Sequence, residues 1–208
     1  MNKTFRVIET FAGIGAPRKA LDNLGINYEI VDAIEIDKYA VKSYNAIYND
    51  NIKEQDIKKW NKTKQEVGEI DLLWNSSPCQ DLSMAGKDAG AVEGSGTRSS
   101  LVYEVIRIAK EIQPKYIIWE NVKGLLTKKN KPILDDYINK LKDIGYNSYY
   151  QLLNAKDYGI PQNRERVFTV SILGNEKYEF PKGEECDNSI KVVGNYMPSG
   201  HDASRIIS

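Results

Sequence analysis

Apolar residues along the chain fall into two alternating patterns, short continuous runs and longer stretches at helical spacing. Phe5 to Phe11 is a run of the first kind and predicts a strand, and Pro17 to Leu24 follows with helical spacing. Tyr28 to Ile34 predicts a second strand and about Asp37 to Tyr48 a second helix, with a short third strand expected just before Asp56-Ile57. Ile70 to Asn75 reads as a fully buried strand. Leu101, Val102, Val105, Ile106, Ala109 and Ile112 recur at helical spacing, with Thr97 or Ser99 available as the N-cap. Pro114 ends that helix, and Tyr116 to Trp119 forms the next strand. Pro132 suits the first turn of a further helix carrying Ile133, Leu134, Tyr137, Ile138 and Leu141, with Gly145 closing it.

Strands that alternate with helices in this way predict an α/β fold with a mostly parallel sheet and helices on both faces. The last two strand candidates, Asn147 to Leu153 and Arg166 to Leu173, have no helix-length pattern between them and should pair as a hairpin at one edge. After Gly174 the pattern fades into polar, acidic and glycine-containing sequence. A domain is therefore expected over residues 1–175, with residues 176–208 as a linker and the start of a second region.

Composition changes this picture little. At 208 residues and 41% hydrophobic content the chain can bury a sizeable core, and no apolar stretch approaches the roughly 20 residues of a membrane span. The N-terminus runs straight into the first strand without a signal-peptide pattern, so the expected location is cytoplasmic. Cys79 and Cys186 lie far apart, and His201 is the single histidine, which leaves no multi-histidine metal site. The net charge is zero. A local basic face is still open to the chain, because Lys123 to Lys131 holds four lysines and no acid, although a solvated loop would look the same.

The first candidate chemistry follows the first strand, in Phe11-Ala12-Gly13-Ile14-Gly15-Ala16-Pro17-Arg18. Gly13 and Gly15 at a strand-to-helix turn let the backbone approach a ligand, and Pro17 fits a first helical turn. Arg18 stands where a dinucleotide fingerprint needs a small residue, which weighs against pyrophosphate binding. Glu35 ends the second strand about 20 residues on, where an acid accepts hydrogen bonds from a ribose diol. It would equally serve as a cap beside Asp37, and Asp56 as part of an ordinary turn.

The second candidate is Asn75-Ser76-Ser77-Pro78-Cys79-Gln80, at the carboxyl end of a central strand. Open α/β sheets place ligands there. A free thiol has a pKa of about 8.5 and no histidine is near in sequence to assist Cys79, which favours an electrophile that is itself activated. A small buried cysteine is the plain alternative. The next strand delivers Glu120-Asn121, and a carboxyl emerging from a buried strand must be paired or protonated, which suits proton donation. Arg164 and Arg166, at alternate positions, point the same way on the last strand and offer planar donors to a carboxylate, a phosphate or a base carbonyl. A structural Arg-Glu network is the alternative.

Phe11-Ala12-Gly13-Ile14-Gly15, Glu35, Asp56, Pro78-Cys79-Gln80, Glu120-Asn121-Val122 and Gln162-Asn163-Arg164-Glu165-Arg166 together resemble the DNA cytosine-5 methyltransferases of bacteria and phages, in order and spacing from about Thr4 to Phe168. Gly96 to Leu101 and Asn154 to Ile160 extend the match. The resemblance implies a Rossmann-like methyltransferase fold and S-adenosylmethionine as cofactor. By it, Cys79 adds to C6 of a cytosine flipped out of double-stranded DNA, and Glu120 holds or protonates ring N3. Asn121 braces the cysteine loop, and Arg164 and Arg166 contact the base oxygen and that loop. Phe11 packs on the adenine, Glu35 takes the ribose hydroxyls, Asp56 takes the adenine amino group, and Pro78 and Leu101 line the same pocket. The sequence departs from the family at Ile36, often an aromatic, and at Ser76-Ser77, more commonly a glycine pair.

The family continues into a target-recognition domain and two late motifs, and Val192 to His201 looks like the entrance to that domain. Three arrangements are expected to compete: a catalytic half working with a second chain, a cut-down chain, or a natural remnant. The alternative to catalysis is an incomplete family member that binds cofactor, DNA or protein without turnover. RNA as the substrate has no specific support in the sequence, and a nicotinamide-dependent oxidoreductase is opposed by Arg18 and by Pro78-Cys79-Gln80.

Overall fold

The computed structural model describes residues 3–78 and 101–183. Six strands form one sheet: β1 (Phe5–Thr10), β2 (Tyr28–Ile34), β3 (Leu72–Asn75), β4 (Tyr116–Val122), β5 (Tyr146–Asn154) and β6 (Glu165–Leu173), in the order β2-β1-β3-β4-β6-β5. β1 runs parallel to β2 and β3, and β3 parallel to β4. β6 is antiparallel to both β4 and β5. The expected edge hairpin is therefore present, with β6 wedged between β4 and β5. The architecture is the Rossmann-like α/β sheet expected of a methyltransferase.

Helices α1 (Ala16–Asn23), α2 (Lys38–Tyr48), α3 (Lys64–Val67), α4 (Val102–Ile112) and α5 (Lys131–Asp143) surround the sheet. Successive strand residues bury on opposite faces, as a doubly covered parallel sheet requires. Ile8, Leu73, Ile117 and Val167 point to one face with Val105, Ile108 and Ile112 of α4 and Leu134 and Leu141 of α5. Val7 and Leu72 point to the other with Leu21 of α1. Local signals fix the ends of the helices. Asp37 caps α2 by accepting from the Tyr39 and Ala40 N–H groups at 2.8 and 2.9 Å. Pro132 lies in the first turn of α5.

Three expectations need correction or completion. The third strand before Asp56 is absent: Glu54 makes a single parallel bridge to Glu35, and the chain turns at once into a 3-10 turn over Ile57–Lys59. The side chain of Asp56 caps that turn through the Lys58 N–H, so the segment spends its polar groups on a turn instead of a ladder. α3 went unforeseen, although Thr63 and Glu66 form a capping box legible in the sequence. Thr97 and Ser99 lie outside the described residues, and Leu101 at the start of α4 makes no side-chain cap. Beyond Gly174 the described chain stays on the hairpin: Tyr178 packs on Tyr149 and Phe180, and Tyr158 donates to the carbonyl of Pro181 at 2.9 Å. Among the described residues no helix is long and apolar enough to cross a membrane.

One carboxylate fastens the missing-strand segment to the sheet. Asp32 on β2 accepts from Lys62 at 2.7 Å, Trp60 Nε1 at 2.9 Å and Gln55 at 2.9 Å. Burial pushes its carboxyl up, but these three hydrogen bonds outweigh burial and hold it below its ordinary value of 3.8. A depressed folded-state value means stability that is present above the unfolded value and lost as pH falls through the folded one. Asp32→Asn should therefore lower the Tm at pH 7 by about 3–8 °C, the scale of a charge-assisted hydrogen-bond set in a domain of this size. The gap between variant and parent should close as pH falls below 3.8. A gap in Tm that stays constant from pH 7 to pH 3 would mean that the Asp32 charge contributes nothing.

Candidate active site

Polar side chains gather at the carboxyl edge of the sheet, where the chain order reverses on either side of β1. The chain leaves β1 for β2 on one side and then crosses back from β2 to β3 on the other, which leaves a crevice between the loops that follow these strands. A cavity of about 450 Å³ occupies it, lined by Phe11 after β1, Ile34 to Asp37 around the end of β2, Gln55 to Ile57, Ser76 and Pro78 after β3, and Leu101. That volume lies in the usual range for a small-molecule pocket. Phe11, Glu35, Ile36, Asp56, Pro78 and Leu101, all singled out in the sequence, meet there. Apolar walls with carboxylates at Glu35, Asp37 and Asp56 suit a flat heterocycle joined to a polar ribose. Ile36 is 65% exposed at the rim.

Gly13 and Gly15 do not line the cavity; they shape the loop behind it. Phe11, Gly13 and Gly15 have φ values of 55°, 56° and 79°, so every second residue of the loop is left-handed. The Gly13 N–H donates to Glu35 Oε2 at 2.9 Å, while Glu35 Oε1 accepts from the N–H groups of Ile36 and Asp37, both at 2.8 Å. Glu35 thus binds the backbone beside Asp37, as the capping reading asked, and it also lines the cavity. A Cβ on Gly15 would collide with the Tyr48 ring, which explains the second glycine. Arg18 turns away from the cavity to a cluster of tyrosines.

A second cavity, of about 310 Å³, lies farther along the same edge. Because β6 is antiparallel, its first residues lie beside the last residues of β4, with Arg166 opposite Val122. Glu120, Arg164, Arg166, Phe168, Leu153, Ala155, Tyr158 and Pro181 line this cavity. Arg166 Nε is 2.9 Å from Glu120 Oε1 and an Arg164 guanidinium nitrogen is 3.9 Å from the same oxygen. The carboxyl emerging from β4 is therefore paired. Both contacts fall on Oε1. Glu165, between the two arginines, turns outward to Lys123 at 2.8 Å, so the alternate-position reading of the arginines holds.

Asn121 is buried, with its Oδ1 accepting from the Val122 N–H at 2.8 Å. Cys79, Gln80 and Gly96 to Ser100 lie outside the described residues, so contact between Asn121 or the arginines and the cysteine loop is not part of the picture. The approach to Cys79 is described. Asn75 Oδ1 accepts from the Ser77 N–H at 2.8 Å, an Asx turn that sets the direction of Pro78. Beneath it the Asn75 side chain faces the Tyr137 hydroxyl, yet among the described residues neither Asn75 Nδ2 nor that hydroxyl completes a hydrogen bond. Among the described residues no group of three or more potential metal ligands occurs.

Sequence reasoning passed over Glu9, Asp32, Tyr44 and Tyr48. The signal for Glu9 was present, since an acid inside an apolar strand needs a partner. It is fully buried and accepts from Tyr44 at 2.7 Å and from the Arg18 N–H at 3.0 Å.

A family model described as C-5 cytosine-specific DNA methylase matches residues 5–204. The orphan methyltransferase M.Rho11sI of Bacillus phage rho11s is 40% identical over 184 residues, which is 86% of this chain and 36% of that protein. The type II methyltransferase M2.ScrFI of Lactococcus lactis subsp. cremoris is 36% identical across 89% of this chain and 66% of its own length. Among solved structures, the Dnmt2 methyltransferase of S. pombe superimposes with a TM-score of 0.65 at 25% identity, over 84% of this chain and 51% of that one. The chain thus spans about one third to two thirds of the length of these relatives.

Proposed function

The chain belongs to the C-5 cytosine-specific DNA methylase family, and from that premise we propose that it carries the catalytic site of a DNA cytosine-5 methyltransferase that uses S-adenosylmethionine. The observation that carries this reading is the pair of cavities at one sheet edge. One has the lining of a nucleoside pocket, the other holds a paired carboxylate and two arginines, and β3, which leads to Cys79, lies between β1 and β4.

In this reading the first cavity takes the cofactor. Phe11 and Leu101 sandwich the adenine, Asp56 and Glu35 receive the amino group and the ribose hydroxyls, and Pro78 and Ile36 complete the wall. When bound, the cofactor supplies an electrophilic methyl carbon. The Cys79 thiolate adds to C6 of a flipped-out cytosine while Glu120 places a proton at N3, so the addition yields a neutral enamine that is nucleophilic at C5 instead of a charged ring. Arg166 and Arg164 hold Glu120 and the base carbonyl in place. After C5 takes the methyl group, the N3 proton returns to Glu120, the C5 proton leaves to a base, and the electron pair of that C–H bond expels the Cys79 sulfur, restoring the thiolate. Asn121 stiffens the strand end beside Glu120. We assign residues 1–175 to this catalytic unit and 176–208 to the start of a target-recognition region, and we place the reaction on double-stranded DNA in the cytoplasm. In this reading target recognition is supplied by a second chain.

Duplex DNA containing 5-fluorocytosine tests the proposal. Fluorine at C5 leaves no proton to remove, so a working site should retain a covalent protein–DNA adduct that depends on the cofactor. An adduct is expected with the chain alone or on adding a separate target-recognition chain. No adduct in either case, with cofactor binding intact, would favour the second reading, a family member that binds without turning over.

A further inference from the structure

The loop that presents Phe11 to the cavity is strained, and the structure shows what holds it. A non-glycine residue at φ 55° lies in the left-handed region that side chains rarely adopt. Two tethers act from the cavity side: Ala12 N–H to the Ile34 carbonyl at 3.1 Å, and Gly13 N–H to Glu35 at 2.9 Å. The other side is held by Tyr48, in the last turn of α2, which donates its hydroxyl to the Gly15 carbonyl at 2.5 Å. Its ring fills the space a side chain at Gly15 would need.

Tyr48 is itself fixed. The Arg18 guanidinium lies 4.4 Å from its ring centroid, and the Tyr44 ring 5.0 Å away. Arg18 is pinned by Asp50 at 2.6 Å, by the Tyr44 hydroxyl at 3.2 Å and by the Tyr28 hydroxyl at 3.3 Å. Tyr44 and the Arg18 backbone N–H both end on the buried Glu9 carboxylate of β1. The strand before the loop, the helix after it and α2 are thereby joined in one circuit that closes on Gly15.

We propose that Tyr48, held by Arg18, is a positioning residue for the cofactor: it locks the left-handed loop so that the Phe11 ring stays aimed into the pocket. The inference rests on the cofactor reading of that pocket. Burial, followed by the charges of Glu9 and Asp22, pushes the Tyr48 phenol above its ordinary value, so it remains a donor through the physiological range. The circuit also explains Arg18, whose size made no sense in a phosphate-binding turn.

Calorimetric titration with S-adenosylmethionine tests this in Tyr48→Phe, in Phe11→Ala and in the double variant. Loss of one ordinary hydrogen bond corresponds to a factor of about 2–12 in Kd, and Tyr48→Phe should weaken binding within that range. In the Phe11→Ala background the same change should cost less than about twofold, because the ring it aims is gone. Hydrogen exchange of the cofactor-free protein should quicken at residues 11–15 in Tyr48→Phe and stay unchanged in β4 and β6. An unchanged Kd, or equal losses in both backgrounds, overturns the proposal. If the parent chain binds no S-adenosylmethionine, the pocket reading fails, and the exchange data then show separately whether Tyr48 locks the loop. Arg18→Lys, which keeps the charge for Asp50 and removes the stacked plane, carries the same expectations should Tyr48→Phe not fold.

Discussion

Cys79→Ala is expected to leave no covalent adduct with 5-fluorocytosine DNA while S-adenosylmethionine binds within about twofold of the parent Kd. The first half follows from bond-making: alanine has no atom that can add to C6, and without that addition C5 is a poor nucleophile. The second half follows from position. The described wall of the cofactor cavity ends at Pro78, and its other members, Phe11, Glu35, Asp56 and Leu101, belong to other segments. The Asx turn at Asn75 and Ser77 is also untouched by the change. Adduct formation would be read by gel mobility and mass spectrometry, which also separates Cys79 from Cys186, and cofactor binding by calorimetry. A persisting adduct would transfer the nucleophile to another residue. Loss of cofactor affinity would mean that Cys79 supports the pocket instead of attacking the base.

How far the sequence carried depended on whether a residue's role was local. β2 appears over Tyr28–Ile34 as the apolar run dictates, and the β5–β6 hairpin follows from the lack of a helix between its strands. Phe11, Glu35, Ile36 and Pro78 were legible because each follows a strand at the sheet's carboxyl edge, a rule that needs no tertiary detail. The strand before Asp56 failed for the opposite reason. Gln55 bonds to Asp32, a pairing set across 23 residues, and Asp56 then caps the adjoining turn. Tyr48 was hidden in the same way: it reads as one more aromatic on the apolar side of α2, and its task appears only when Gly15 and Arg18 are brought to it. Glu9 and Arg18 each broke a local rule, and Tyr44 joins them: its hydroxyl donates to Glu9 and accepts from Arg18.

Glu120→Gln carries the other large effect, an expected fall of about 10²–10³ in the rate of adduct formation under whichever condition the parent chain reacts. Glutamine keeps the size of the side chain and an oxygen that can accept from Arg166 Nε, now 2.9 Å from Glu120 Oε1, so the cavity formed with Arg164, Tyr158 and Phe168 should survive. It cannot carry a proton to N3. Addition at C6 would then have to place negative charge on the ring, and the Cys79 thiol has no histidine near it in sequence to drive it. Removing the guanidinium instead makes the comparison decisive. Arg166→Ala leaves the carboxyl with only Arg164 at 3.9 Å, so it keeps the proton-carrying group and loses its alignment. A smaller rate loss is expected there than in Glu120→Gln, with cofactor affinity unchanged in both because neither residue lines the first cavity. Rates within about tenfold of the parent for Glu120→Gln would show that this carboxyl only braces Arg166 and that activation of the cytosine comes from another group.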